Sequence, residues 1–162
     1  VLVAYFSATG NTENIAEHLV SILDADLYEI VPQVPYTSED LDYRNSDCRA
    51  NQEQNDPTAR PAISGGVENM EDYEVIFLGY PIWWGDAPKI ISTFLETYDF
   101  DGKTIVPFCT SGSSSIGGSV SDLEALTSGA AWLDGQRFSG SASQETVSQW
   151  VDSLGLDLGQ AA

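Results

Sequence analysis

Val1-Leu2-Val3-Ala4-Tyr5-Phe6, running directly into Ser7-Ala8-Thr9-Gly10-Asn11-Thr12, is the stretch on which the fold turns. The first part is nearly all apolar, as a strand covered on both faces must be. The second part carries hydroxyls at Ser7, Thr9 and Thr12 and a flexible Gly10, and it leads into a helical stripe of Ile15, Leu19, Ile22 and Leu23. Backbone N–H groups at a helix N-terminus, with roughly half a positive charge from the helix dipole, hold a phosphate without any basic side chain. None of Ser7 to Thr12 is Lys or Arg. The loop lacks the Gly-Lys pair of a Walker A motif and the spacing of GxGxxG, which argues against nucleoside triphosphates and NAD. Taken alone, it would also suit an ordinary strand–helix turn with a Thr/Asn cap.

The same alternation continues along the chain. Leu27 to Val31 reads as a second strand ending at Pro32, and Glu74 to Tyr80 as a hydrophobic central strand. A helix follows with Asp86 as N-cap, Pro88 in its first turn and a core stripe of Ile90, Ile91, Phe94 and Leu95. Lys103 to Cys109 is a fourth strand, in which Pro107 predicts a local break of the ladder. Val120, Leu123 and Leu126 mark another helix, and Ala130 to Phe138 a fifth strand placed at an edge by its polar residues. Ser141-x-x-Gln144 resembles a capping box before a last helix bearing Val147, Trp150, Val151 and Leu154. Strands alternating with helices imply an α/β fold: a parallel, doubly wound sheet in three layers.

At 162 residues the chain suits one domain, 1–162, able to bury a core without disulfides or structural metals. Its 42% hydrophobic and 19% charged residues are those of a globular protein. The segment 32–73 breaks the rhythm, with Pro32, Pro35, Pro57 and Pro61 among many Asn, Asp and Gln residues. So long a connection between the second and third strands is expected to be functional or partly ordered, with a helix around Ser38–Tyr43. Cys109, at the end of an apolar strand, reads as a packed thiol, while a bond to Cys48 stays open. His18 reads as a surface residue, and a single histidine leaves no triad or histidine-rich metal site.

Charge is lopsided, 25 Asp plus Glu against 6 Lys plus Arg, for a net −19. Such a surface repels nucleic acid and anionic lipid and attracts basic protein partners, or it serves only solubility. No apolar run reaches membrane-spanning length and no signal peptide is visible, so a cytoplasmic protein without membrane insertion is expected; a processed leader ahead of Val1 stays open.

Two further loops follow strands, where ligands of doubly wound sheets bind. In Tyr80-Pro81-Ile82-Trp83-Trp84-Gly85-Asp86-Ala87-Pro88, adjacent tryptophans cannot both fill one core face. One of them suits a flat ligand stacked on indole, with Gly85 letting backbone approach a heterocycle edge. The other reading has both rings plugging the loop–helix junction. Thr110-Ser111-Gly112-Ser113-Ser114-Ser115-Ile116-Gly117-Gly118 offers small side chains and many N–H groups, as a wrapper of a polar ring edge or as a plain linker.

Taken together, these loops resemble those of the flavodoxin-like FMN-binding family. Ser7-x-Thr9-Gly10-Asn11-Thr12 looks like its phosphate loop and Pro81-Ile82-Trp83-Trp84-Gly85 like its isoalloxazine loop. Asn51-Gln52-Glu53-Gln54-Asn55-Asp56-Pro57 and Gly79 to Gly85 look like a bacterial branch with a long loop after the second strand. The resemblance spans essentially the whole chain and implies a five-stranded parallel sheet of order 2-1-3-4-5. It implies phosphate contacts from Ser7, Thr9, Gly10, Asn11 and Thr12. Ring contacts are implied for Pro81, Ile82, Trp83, Trp84 and Gly85, and for Thr110, Ser111, Gly112 and Gly117. The implied function is FMN-based electron transfer to a redox protein with a basic surface. The alternative is an FMN-dependent NAD(P)H:quinone-type oxidoreductase. Thr110 to Gly118 holds no aromatic to cover the second flavin face, so either Tyr36 or Tyr43 covers it or it stays open to a substrate. Arg44, Arg49 and Arg60 are the candidates for holding a dinucleotide phosphate.

Overall fold

The computed structural model describes residues 1–7, 11–34, 36–37, 39–41, 48–56, 58–67, 70–82, 87–111, 117–127, 129–133, 135–139 and 142–154. The first strand, β1 (Leu2–Tyr5), is buried throughout and lies between β2 (Asp26–Glu29) and β5 (Val75–Pro81), parallel to both. β5 pairs in turn with β6 (Thr104–Thr110) along its whole length, from Val75↔Thr104 to Pro81↔Thr110. Two short strands, β7 (Ala131–Trp132) and β8 (Gln136–Phe138), lie parallel to β6 on its far side. The order β2-β1-β5-β6-β7/β8 is the expected 2-1-3-4-5, with the fifth strand in two pieces.

Pro107 accounts for the division. Ala131 N–H donates to Lys103 O and Leu133 N–H to Ile105 O, so the odd residues of β6 face the fifth strand. Pro107 also faces that way and has no N–H to offer. β7 ends its pairing at Ile105, and β8 resumes it at Phe108. The predicted break is therefore present on one side of β6 only; toward β5 the ladder runs unbroken through Leu78↔Pro107.

Side chains alternate across these strands and build two cores. Val3, Tyr5, Phe77, Val106 and Phe108 meet α1 (Asn11–Leu23) and α5 (Gln144–Ser153). Trp150 of α5 closes this layer, meeting Phe77, Phe108 and Phe138 edge-on at centroid distances of 5.8, 6.3 and 5.4 Å. Leu2, Ala4, Ile76, Leu78, Tyr80, Ile105 and Cys109 face α3 (Lys89–Thr97) and α4 (Gly117–Glu124) through Ile90, Ile91, Phe94, Leu95 and Leu123. His18 is half-exposed on α1.

Two helix starts differ from the sequence expectation. Pro88 occupies the cap position of α3, extended at φ −59° and ψ 146°, one residue ahead of the helix rather than in its first turn; Asp86 lies outside the described residues. The cap of α5 is Ser143, whose Oγ accepts from Thr146 N at 3.2 Å. Gln144 is thus the first helical residue, which removes it from the third helical position that a box with Ser141 requires; Ser141 itself is not described.

The long connection is partly ordered. β3 (Val31–Pro32) pairs antiparallel with β4 (Ile63–Ser64), and a 3-10 turn at Met70–Asp72 leads into β5. Its helix is α2 (Arg49–Gln54), capped by Cys48 Sγ at 3.5 Å from Asn51 N. Around the helix expected at Ser38–Tyr43, the described residues show a single turn. Thr37 and Asp40 cap each other reciprocally at 3.0 and 3.2 Å, and Leu41 N–H donates to Thr37 O.

Cys48 and Cys109 are both buried free thiols. Burial pushes the Cys109 thiol up from 9.0 to about 12, partly opposed by Arg137, and burial likewise raises Tyr28 from 10.0 to about 12. Both groups stay protonated in the fold where the unfolded chain would begin to ionise. Their contribution is complete below about pH 9 and is lost as pH rises toward about 12. Urea unfolding should therefore show a lower midpoint at about pH 10.5 than at about pH 8. Cys109→Ala should lessen that fall, and an unchanged slope would remove the thiol from the account. Among the described residues no helix is long and apolar enough to cross a membrane.

Candidate functional site

The order of strands reverses between β1 and β5, so the crevice outside their carboxyl ends is where a ligand of this architecture binds. The three loops singled out in the sequence leave from β1, β5 and β6 at this end. Phe6 N–H donates to Gly79 O at 3.0 Å, which fixes the exit of β1 against β5. Ser7 follows, half-buried.

Thr110, the last residue of β6, ties the loops together. Its Oγ1 lies 2.8 Å from Thr12 Oγ1, in a hydroxyl pair whose residues are 5% and 1% exposed. Its carbonyl accepts from Ile82 N–H at 3.1 Å. One threonine thus bonds to the first turn of α1, behind the first loop, and to the start of the second loop. It also opens the third. The next residue, Ser111, is held on three sides: its N–H donates to Phe138 O at 3.2 Å, while Arg137 donates from Nε to Ser111 Oγ at 3.1 Å and from Nη2 to Ser111 O at 3.0 Å. At the far end of the third loop, Tyr80 and Ser119 join hydroxyls at 2.9 Å in the core, anchoring α4 to β5.

The donor chemistry fits an FMN-like group. At the phosphate end, α1 presents its first turn with Asn11 exposed and Thr12 buried. Neither residue is basic, so an anion there would be held by unpaired first-turn N–H groups, hydroxyls and amides. The Thr12 hydroxyl is engaged with Thr110, which leaves its backbone N–H for an anion. Glu13, also in this turn, accepts from the Tyr5 phenol at 3.0 Å; burial first, then this bond, raises the Tyr5 pKa. At the ring end, Thr110 and Ser111 supply small side chains, while the Thr110 carbonyl is bonded to Ile82 N–H and the polar groups of Ser111 to Phe138 and Arg137. Of the residues expected at the site, Ser7, Asn11, Thr12, Pro81, Ile82, Thr110 and Ser111 gather at this end of the sheet, and Gly117 begins α4. Thr9, Gly10, Trp83, Trp84, Gly85 and Gly112 lie outside the described residues.

The long connection packs beside the site. Tyr36 meets Phe6 edge-on at 5.7 Å, carries the Arg49 guanidinium 3.9 Å over its ring and donates its phenol to Glu53. Burial is the main cause of its raised pKa, followed by that bond. Arg49 also pairs with Glu53 at 2.9 Å and donates to Val34 O at 2.6 Å. The guanidinium covers one face of Tyr36, which stands as a wall beside the site. Tyr43 and Arg44 lie outside the described residues. Gln54 donates to Ala87 O at 3.2 Å, which ties α2 to the segment entering α3.

Arg60 is bound instead to Glu96 near the end of α3, through Nε and Nη2 at 3.0 Å each, and this holds the Glu96 carboxyl below its usual range. That places it at the amino ends of the strands. An open cleft of about 290 Å³ between Tyr98, Asp101 and Thr127 also lies at that pole, away from the loops.

Sequence reasoning did not find the Arg137 clamp, the Tyr80–Ser119 pair or the Tyr36–Arg49–Glu53 cluster. Each joins residues far apart in the chain, and no local spacing signals them.

Comparison with known proteins adds the following. The family model described as Flavodoxin matches residues 1–154. A candidate flavoprotein from Bacteroides eggerthii has a crystal structure similar to this chain, with TM-score 0.90 and 46% identity over 96% of this chain and 98% of that one. A second, from Bacteroides uniformis, gives 0.89 and 44% over 93% and 96%. A flavoprotein from Lactobacillus acidophilus, crystallised in complex with FMN, shares the fold at TM-score 0.74 and 24% identity over 96% and 97%. No curated protein matches the sequence.

Proposed function

The chain belongs to the flavodoxin family, and we propose that it binds one FMN across the three loops at the carboxyl end of its sheet and uses it for electron transfer. The observation that carries this reading is the position of Thr110, bonded to Thr12 and to Ile82 at the switch point. Family membership and the FMN complex of the Lactobacillus relative support the choice of cofactor. FMN supplies reversible uptake of one or two electrons, and the protein supplies binding, orientation and electrostatics. Ser7, Thr9, Gly10, Asn11 and Thr12 hold the phosphate. Pro81, Ile82, Trp83, Trp84 and Gly85 line one side of the ring, and Thr110, Ser111, Gly112 and Gly117 the other.

A net charge of −19 suits recognition of a redox partner with a basic surface, whose association should weaken as salt rises. The absence of any aromatic residue from Thr110 to Gly118 favours a second reading, an FMN-dependent NAD(P)H:quinone-type oxidoreductase. Against this, Arg49 and Arg60 are already engaged with Glu53 and Glu96.

Anaerobic titration of the FMN-loaded protein, first with a chemical reductant and then with NADH and NADPH, separates the readings. Reduction in two resolved one-electron steps, with no response to either nicotinamide, is the expected result. Direct bleaching by NADH or NADPH would replace the carrier with the reductase, and a chain that refuses FMN would overturn both. Trp83→Ala and Trp84→Ala should weaken FMN unequally; equal small losses by fluorescence titration would make the pair structural.

A further inference from the structure

The structure assigns to Arg137 a second role beyond holding β8: it positions the Thr110–Gly118 loop for the flavin ring and brings positive charge to it, so that reduced FMN is bound more tightly than it otherwise would be. The assignment rests on the FMN reading above and names a residue that the loop motifs do not contain.

The geometry is that of a clamp. Arg137 sits opposite Cys109 in the β6–β8 register, one residue before the Thr110↔Phe138 pair. Its guanidinium reaches Ser111 twice, at 3.1 Å to Oγ and 3.0 Å to the carbonyl, while Ser111 N–H is held by Phe138 O at 3.2 Å. Every polar group of Ser111 is therefore bonded to β8. A planar guanidinium fixes its acceptors in direction as well as distance, which an ammonium cannot do. Ser111, the residue that follows β6, is consequently fixed in direction before any ligand arrives, and pre-organisation of this kind favours binding.

The charge argument starts from scarcity. The chain has only six Lys and Arg residues against 25 Asp and Glu. Among the described residues, Arg49 and Arg60 bond to carboxylates, and Lys103 reaches the Met70 and Tyr73 carbonyls at the amino end of the sheet. Lys89 opens α3 just beyond the second loop, and Arg137 is the described cation whose guanidinium is bonded to the third. Its field is felt in the core, where it lowers the Cys109 pKa against the effect of burial. Reduction adds negative charge to the flavin, which an acidic protein disfavours; a guanidinium at the loop offsets part of that penalty.

The test uses the FMN-loaded protein and the variants Arg137→Gln and Arg137→Lys. FMN dissociation constants are measured by flavin fluorescence and midpoint potentials by spectroelectrochemistry, with circular dichroism to check folding. Arg137→Gln should weaken reduced FMN about tenfold more than oxidised FMN, lowering the two-electron midpoint by about 30 mV. Arg137→Lys should keep the midpoint near that of the wild type while raising the oxidised dissociation constant, because the charge stays and the fork is lost. This variant carries the test should Arg137→Gln not fold. For Arg137→Gln, equal weakening of both redox forms with an unchanged midpoint, or no change in either, overturns the assignment; for Arg137→Lys, a midpoint lowered as far as that expected of Arg137→Gln, or an oxidised dissociation constant equal to that of the wild type, overturns it. A wild-type chain that leaves FMN fluorescence unquenched overturns the proposed function itself, before Arg137 is touched.

Discussion

Gly79→Ala should cost about 3 kcal/mol of stability, the upper end for an overpacked core site. Gly79 lies in β5 between Tyr5 of β1 and Phe108 of β6. A Cβ built there would fall 2.2 Å from Phe108 Cζ and 2.3 Å from Cε2. The ring has nowhere to go, since Phe108 is 0% exposed and lies edge-on to Trp150 at 6.3 Å. For a chain of this size the melting temperature should fall by roughly 6–12 °C. Because Gly79 also holds Phe6 at the exit of β1, FMN affinity should fall as well. Adding Phe108→Leu to Gly79→Ala should restore part of the loss, and the double-mutant cycle should show clear coupling between the two sites. A melting temperature within about 2 °C of the wild type would show that Phe108 does not lie across the glycine.

Thr110→Val should lower stability by about 1–3 kcal/mol and weaken FMN about tenfold. Valine matches threonine in shape, so the change removes the hydroxyl and little else. Thr12, 1% exposed, then loses the partner 2.8 Å away without gaining water in exchange. Thr12→Val should behave alike. The double variant Thr12→Val/Thr110→Val should recover most of the stability, because two apolar groups can pack where two hydroxyls were paired. It should not recover FMN affinity, because the first turn of α1 is no longer tied to the end of β6. Chemical denaturation and FMN titration of the three variants test this together. A double variant that binds FMN like the wild type would show the hydroxyl pair to be a core feature only.

The loops proposed for the site could be singled out because their chemistry is local. Ser7 to Thr12 suits an anion at a helix start through hydroxyls, a glycine and the absence of basic residues. Pro81 to Gly85 suits a flat ligand through adjacent tryptophans, which lie outside the described residues. The buried strands around them could be read from uninterrupted apolar runs such as Val1 to Phe6. Helix starts were less legible: Ser141 and Ser143 are both suitable caps, and only the backbone at Ser143, at φ −80° and ψ 160°, selects one. Segment 32–73 was legible as an interruption and no further, since its short elements bury few residues and leave no periodic trace.

By itself, then, the sequence determined the architecture, the carboxyl-end loops and the chemistry they offer, because hydrophobic period, helix-start chemistry and Pro107 act within a few residues of one another. Tertiary structure alone decided what joins those loops. Thr12 and Thr110 are 98 residues apart, Tyr80 and Ser119 are 39, and Ser111 and Arg137 are 26. Pairings over such distances come from strand register and helix docking, which no local pattern encodes, and they turn separate loops into one candidate site.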